Sequence, residues 1–448
     1  MMCTAAGHVP PQRVRGVLGV AAPRPATAIA SPPKPAPAAP QRNCISDPGN
    51  APAPPAACAQ AATVVQPHQV LRALICHEQL NRTLSPWASG EATVSSANRV
   101  NTAGGVNGAP ERTVDRAMVT LTGSAACKAA AAGVGQSCVL ADGRPAVQVL
   151  AAVKTVTATL TPTEAHLLKT NPATASLALL PSVKLLGQEL EAFTKTMKRA
   201  TDVHGAHLAQ RCFLRLYGWE LVCTGGPDTY ALRSYWQWQQ HGSLREYLIR
   251  CLEHPDIRMG RAMFIAALQQ VLQLLRTLSR AGIVLGDLKL DNMLVDAHGH
   301  VTLSDVDGAG LLEEGLLRTT QLVAAQAAAQ AAAMWSDPVA AEAAVWRAAD
   351  LMFTQEPPTM ITDAFAPLEM KVFQSMCGAS HQHLVGASLG ALLAALQPVL
   401  LAAGRTGCFY FITELHGLAM GLQTLAHIDR PDLQGVWWQL EAIGARWV

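Results

Sequence analysis

Between Ala281 and Gly308 the chain sets a loop of carboxylate, ammonium and amide groups between a long helix and two very short strands. The apolar spacing from Met263 to Ser279 predicts an amphipathic helix that ends at Gly282. A loop carrying Asp287, Lys289 and Asn292 follows. Two short β segments, Met293 to Val295 and Val301 to Leu303, are joined by a His-Gly turn and lead into Asp305. Such a hairpin brings Asp287, Asn292 and Asp305 to one end of a small sheet. Carboxylate, amide and carboxylate are the hard oxygen donors that Mg²⁺ selects, with positions left for phosphate oxygens.

The stretch Asp287-Leu288-Lys289-Leu290-Asp291-Asn292, followed by Asp305-Val306-Asp307, resembles the catalytic and metal-binding loops of eukaryotic-type protein kinases, D-L-K-x-x-N and D-F-G. The resemblance implies roles position by position. Asp287 would accept or orient the proton of an attacking hydroxyl and Lys289 would steady the transferring phosphoryl group, while Asn292 and Asp305 would hold Mg²⁺ beside ATP. The lysine within D-L-K points to Ser/Thr rather than Tyr substrates. Upstream, Gly133-Val-Gly135 resembles a phosphate-covering glycine loop with two of its three glycines. Ala152-Val153-Lys154, inside an apolar run from Val147 to Val156, resembles the V-A-I-K strand. Lys154 would then pair with the nucleotide phosphates and with a helix Glu. Of Glu189 and Glu191, Glu189 is preferred because Leu185, Phe193 and Met197 lie at helical offsets from it. Trp236 and Trp238 would border an adenine slot or sit in the core. Downstream, Ala366-Pro367-Leu368-Glu369 and Arg430-Pro431 resemble the closing motifs of the same family, which implies a buried Glu369–Arg430 pair.

Departures from the family stand at the site itself. Leu285-Gly286 replace His-Arg, Val306 replaces Phe, Asp307 replaces Gly, and Val385 replaces an Asp at the start of a central helix. Gly286 offers no guanidinium to a phosphorylated activation loop, so that ordering switch is expected to be absent. Three alternative readings follow. A pseudokinase would bind ATP without transfer and act as an interaction module. Gly286-Asp287-Leu288 with Asp305-Val306-Asp307 is also similar to aminoglycoside/choline-type phosphotransferases, where Asp307 would assist the metal. Gly386-Ala-Ser388-Leu-Gly390 matches the nucleophile elbow of lipase-type serine hydrolases, with Ser388 as nucleophile. Cys76-His77 and His381-Gln-His383 lack a second pair at ligand spacing, which leaves no zinc site.

The expected fold is α+β: a bilobal protein kinase-like domain with a small antiparallel-sheet lobe at 116–232 and a larger helical lobe at 233–448. Residues 1–115 are expected to be a disordered, low-complexity region and linker, with one helix candidate near Val70 to Leu80. Thirteen of the 28 prolines lie at or before Pro55, and no acidic residue precedes Asp47. Such a segment has no apolar face with which to recover its ordering entropy. Its Arg- and Ala-rich start also suits a transit peptide, so chloroplast or mitochondrion stands beside the cytoplasm as compartment. A net charge of +2 argues against a nucleic-acid partner. Eleven cysteines without a C-x-x-C pair argue against a disulfide framework. The uncharged run Leu384 to Ala403 reads as a buried core helix rather than a transmembrane segment. The expected partners are ATP and a protein substrate that the sequence leaves unspecified.

Overall fold

A computed structural model describes residues 66–448 apart from 83, 85, 89, 104–110, 132, 227, 334–336, 355–361 and 425. The Pro-rich segment and its targeting reading lie outside the described residues. The described residues are α+β, with one six-stranded antiparallel sheet followed by a mostly helical remainder.

The first half runs α1 (Pro67–Leu74), β1 (Ala92–Ala103), β2 (Glu111–Leu121), α2 (Gly123–Ala131), β3 (Gln136–Val139), β4 (Pro145–Thr159), α3 (Pro162–Thr170), α4 (Pro181–His204), α5 (Ala206–Cys212), β5 (Leu216–Cys223) and β6 (Thr229–Gln237). The strand order is β1-β2-β4-β6-β5, with β3 added against the start of β4. Strand β4 is the organising element because it is apolar on both faces. Val147, Val149, Ala151 and Val153 meet α2 and the Trp87–Tyr235 ring pair on one side. Ala152 and Val156 meet the α4 core on the other. Lys154 lies between those two, so the pleat aims it toward α4. Helix α4 buries Val183, Leu186, Leu190 and Phe193. Leu185, at a helical offset from Glu189, is exposed; Glu189 instead borders the stripe through Leu186 and Phe193.

The second half runs α6 (Leu244–Glu253), α7 (Ile257–Arg280), β7 (Ile283–Val284), β8 (Met293–Val295), β9 (Val301–Leu303), β10 (Gly310–Leu311), α8 (Glu314–Ala333), α9 (Pro338–Asp350), α10 (Leu368–Phe373), α11 (Gly378–Ala402), α12 (Thr406–Leu422) and α13 (Leu433–Trp447). Helix α7 is capped by Asp256, whose carboxylate accepts from Arg258 N and Met259 N at 2.9 and 3.1 Å. It buries Phe264, Leu268, Val271, Leu275 and Leu278 at the centre of the helical core. Strands β8 and β9 occupy the residues read from the sequence.

Several expectations are corrected. Residues 66–115 are not a linker throughout: α1 and β1 lie within them, and the boundary at 115 falls inside β2. In α1 and the π-turn after it, Leu71, Ile75 and Leu80 are fully buried. Strand β1 escaped recognition because it is a polar edge strand, exposed on both faces over most of its length, and has no apolar alternation to read. The boundary at 232 falls inside β6, whose register with β4 continues to Gln237. Gly386 and Gly390 do not form an elbow. They lie within continuous α11, and a Cβ at Gly386 would meet Leu422 Cβ at 2.6 Å and Ala419 O at 2.8 Å. The G-x-S-x-G spelling marks a close helix contact with α12, and Ser388 is buried on a helix without the strand-to-helix turn a hydrolase requires. Helix α11 is long and apolar enough to span a bilayer, yet half of its most apolar window is buried within the protein.

Candidate active site

Lys154 Nζ donates to Glu189 Oε1 and, at 3.1 Å, to the carbonyl of Ser304. Its ammonium also stands 5.2 Å from the ring centroid of Trp236. Glu191 is directed elsewhere, to Lys195 at 2.7 Å and Gln79 at 3.1 Å. From Ser304 the contacts continue, since its N and Oγ both donate to Asn292 O at 3.0 Å. Asn292 Nδ2 in turn donates to Asp287 O at 2.8 Å and to Asp287 Oδ2 at 3.0 Å. Lys289 Nζ donates to the same Oδ2 at 2.7 Å. A hydrogen-bonded path therefore joins Glu189, Lys154, Ser304, Asn292 and Asp287. It exists because the β8–β9 hairpin returns Ser304 to Asn292, twelve residues earlier in the chain.

Asp305 adjoins this path, and its Oδ1 accepts from Asp307 N at 3.0 Å. Asp307 is buried; its Oδ2 accepts from Arg112 Nη1 of β2 at 2.8 Å, and its Oδ1 has no hydrogen-bond partner among the described residues. Burial disfavours the charge on Lys154, but Glu189, Asp305 and Asp307 outweigh it and raise its pKa above the ordinary lysine value. Burial and then the neighbouring Asp305 push the Asp307 carboxyl up, against the pull of Arg112. Glu189 is likewise pushed up, first by burial and then by Asp307 and Asp305, against the attraction of Lys154. Asp287 behaves oppositely. Burial opposes its charge, but hydrogen bonds from Lys289, Thr362 and Asn292 hold its carboxyl below the usual range.

Thr362 was not signalled by the sequence. Its Oγ1 donates to Asp287 Oδ1 and accepts from Lys289 Nζ at 2.9 Å, across 75 and 73 residues of chain. Nothing local marks such a contact. Gly133 and Gly135 are not brought to this cluster. They lie in the turn before β3, which pairs with β4 at Gln148, six residues from Lys154. At 3.3 Å per residue that is about 20 Å. The turn has the glycine spacing of a phosphate loop but a different place, because α2 and β3 form a detour between β2 and β4 that the spacing does not reveal. Trp236 is a core residue, edge-on to Phe193 with centroids 4.9 Å apart.

Glu369 and Arg430 form a bidentate pair, Nη2 to Oε2 at 2.8 Å, with both side chains buried. Ser380 Oγ adds a bond to the Glu369 carboxylate at 2.7 Å. Among the described residues no group of three His, Cys, Asp or Glu side chains stands at metal-ligating spacing. The oxygens available to a hard cation are those of Asp305, the amide oxygen of Asn292 and the unpartnered Asp307 Oδ1. The chain matches no protein-family model, and no curated protein is significantly similar to it.

Proposed function

We propose that this chain is a protein kinase-like phosphotransferase of bilobal form, moving the γ-phosphoryl group of ATP to Ser/Thr hydroxyls of a protein substrate. The observation that carries the reading is the hydrogen-bonded path from Glu189 through Lys154, Ser304 and Asn292 to Asp287. It joins an ammonium suited to phosphates with a carboxylate suited to a hydroxyl. Asp287 is held ionised by its neighbours and would accept the hydroxyl proton as the new O–P bond forms and the bond to ADP breaks. Thr362 Oγ1 on Asp287 Oδ1 marks an approach that a substrate hydroxyl would share. Lys289, bonded to the same carboxylate, would offset charge on the transferring group.

Mg²⁺ fits the residues present. Asp305, Asn292 and the uncapped Asp307 Oδ1 are hard oxygen donors, and an unpaired buried carboxylate oxygen is otherwise costly. When bound, the ion would neutralise phosphate charge. The same Asp307 oxygen is the observation that favours the runner-up, an aminoglycoside/choline-type phosphotransferase. The Lys289–Asp287 and Glu369–Arg430 pairs favour the protein kinase-like reading. A pseudokinase reading keeps nucleotide binding and drops transfer. Calorimetric titration of Mg·ATP into wild type and Lys154→Met tests the first step. Binding by wild type that is lost in the variant supports the reading, and no binding by wild type sinks it.

A further inference from the structure

The segment that carries Asp287 and Lys289 has little regular structure of its own. It lies between β7 and a single 3₁₀ turn at Leu290–Asn292, and Leu285, Leu288 and Leu290 are all buried. Backbone amides in such a place need partners, and two of them find theirs on α11. His381 Nε2 accepts from Leu285 N at 2.8 Å, and Ser388 Oγ accepts from Leu290 N at 3.1 Å. Seven residues separate the two side chains, close to two helical turns, so both stand on one face of α11. Val385, between them along the helix, is apolar and offers no acceptor. The two amides they hold bracket Asp287 and Lys289.

We propose that His381 and Ser388 are positioning residues that clamp both ends of the Asp287–Lys289 loop to α11, so that the two side chains meet across a fixed backbone. The kinetic half of this inference rests on the phosphotransfer reading above; the structural half does not. Both clamping side chains are almost wholly buried, His381 at 1% and Ser388 at 5% exposure. Burial pushes the His381 imidazole down to about 4, so Nε2 keeps the lone pair that accepts from Leu285 and Nδ1 carries the proton. That Nδ1 is buried without a partner among the described residues, where the ring's only hydrogen bond is the one to the loop. Ser388 is directed at Leu290, whereas Gly386 and Gly390 on the same helix approach α12. The helix thus divides its faces between packing and holding the loop.

The test pairs amide hydrogen exchange at Leu285 and Leu290 with steady-state phosphoryl transfer, on wild type, Ser388→Ala, His381→Leu and His381→Gln. Ser388→Ala is the mildest change and His381→Gln restores an acceptor, so a folded variant is available at each end. Ser388→Ala should speed exchange at Leu290 by about fivefold to tenfold, and His381→Leu should do so at Leu285, the factor for one net hydrogen bond. The turnover number should fall by about 100-fold with the ATP KM within about twofold, because a displaced catalytic carboxylate costs rate rather than nucleotide binding. His381→Gln should recover part of both effects. Unchanged exchange at both amides overturns the clamp. Faster exchange with an unchanged turnover number overturns its link to catalysis. A wild-type protein that transfers no phosphoryl group overturns the functional reading and the kinetic half with it, and the exchange data then decide the clamp by themselves.

Discussion

Replacing Lys154 by Met removes one of the two cations that face three carboxylates. Lys154 and Arg112 face Glu189, Asp305 and Asp307, so two positive and three negative groups leave a formal −1 that the substitution makes −2. Both side chains of the Lys154–Glu189 pair are mostly buried, at 17% and 12% exposure. Breaking a buried pair by deleting one partner costs about 3–5 kcal/mol, because the remaining charge is left uncompensated. The lost contact with the Trp236 ring adds about 0.5–2 kcal/mol, and the methionine stem returns some packing. Glu189 already has a raised pKa, and without Lys154 it rises further above its unfolded value. A carboxyl raised in the folded state contributes stability at low pH that is lost as pH climbs through its folded pKa. The deficit of Lys154→Met should therefore be larger near pH 8 than near pH 5. Urea unfolding at both pH values measures it, and Lys154→Met/Glu189→Leu should recover most of the loss. A deficit below about 0.5 kcal/mol at both pH values, within the range of an ordinary surface change, would refute the electrostatic reasoning.

Arg430→Met should cost about 3–5 kcal/mol in urea unfolding, because Glu369 stays buried without its guanidinium while the bond from Ser380 remains; a surface-like cost would contradict the buried pair. Burial and then Asp432 push the Asp350 carboxyl up to about 7, against Arg347, Arg276 and Arg280. That group weakens the fold as pH rises from about 4 to about 7, by up to about 4 kcal/mol. Asp350→Asn should accordingly be more stable than wild type near pH 8, with the gap closing near pH 4. His381 has the opposite sign. With its folded pKa depressed to about 4, stability is lost as pH falls from about 6.5 toward about 4, on the order of 3 kcal/mol. Thermal melts of His381→Gln should show a shallower acid limb, with the part due to His383, whose imidazole burial also pushes down to about 4, remaining.

What could be read in the chain depended on whether the signal was local. Strands β8 and β9 were legible because Met293-Leu-Val295 and Val301-Thr-Leu303 flank a His-Gly turn. Lys154 stood out because the apolar run from Val147 to Val156 that contains it resembles the V-A-I-K strand. Strand β1 was not, since an edge strand satisfies its backbone through β2 without an apolar pattern. Thr362, His381 and Ser388 reach the Asp287 loop from 73 to 98 residues away, and no spacing rule connects them. The glycines misled twice for one reason. Gly135 closes a turn against β4, where a Cβ would meet Gln148 O at 2.4 Å, and Gly386 lets α11 approach α12. Glycine reports that backbones come close or turn sharply; it does not report whether a phosphate, a strand or a helix lies beyond.

The most direct measurement is transfer of labelled γ-phosphoryl from Mg·ATP to a generic protein substrate and to the chain itself, run with Mg·ATP thermal shifts on the same samples. Wild type should label Ser/Thr hydroxyls. Asp287→Asn should retain the thermal shift and lose transfer by about 100- to 1,000-fold, whereas Asp305→Asn should lose both. A wild-type protein that neither shifts nor transfers would contradict the phosphotransferase assignment, and one that shifts without transferring would leave a nucleotide-binding module in its place.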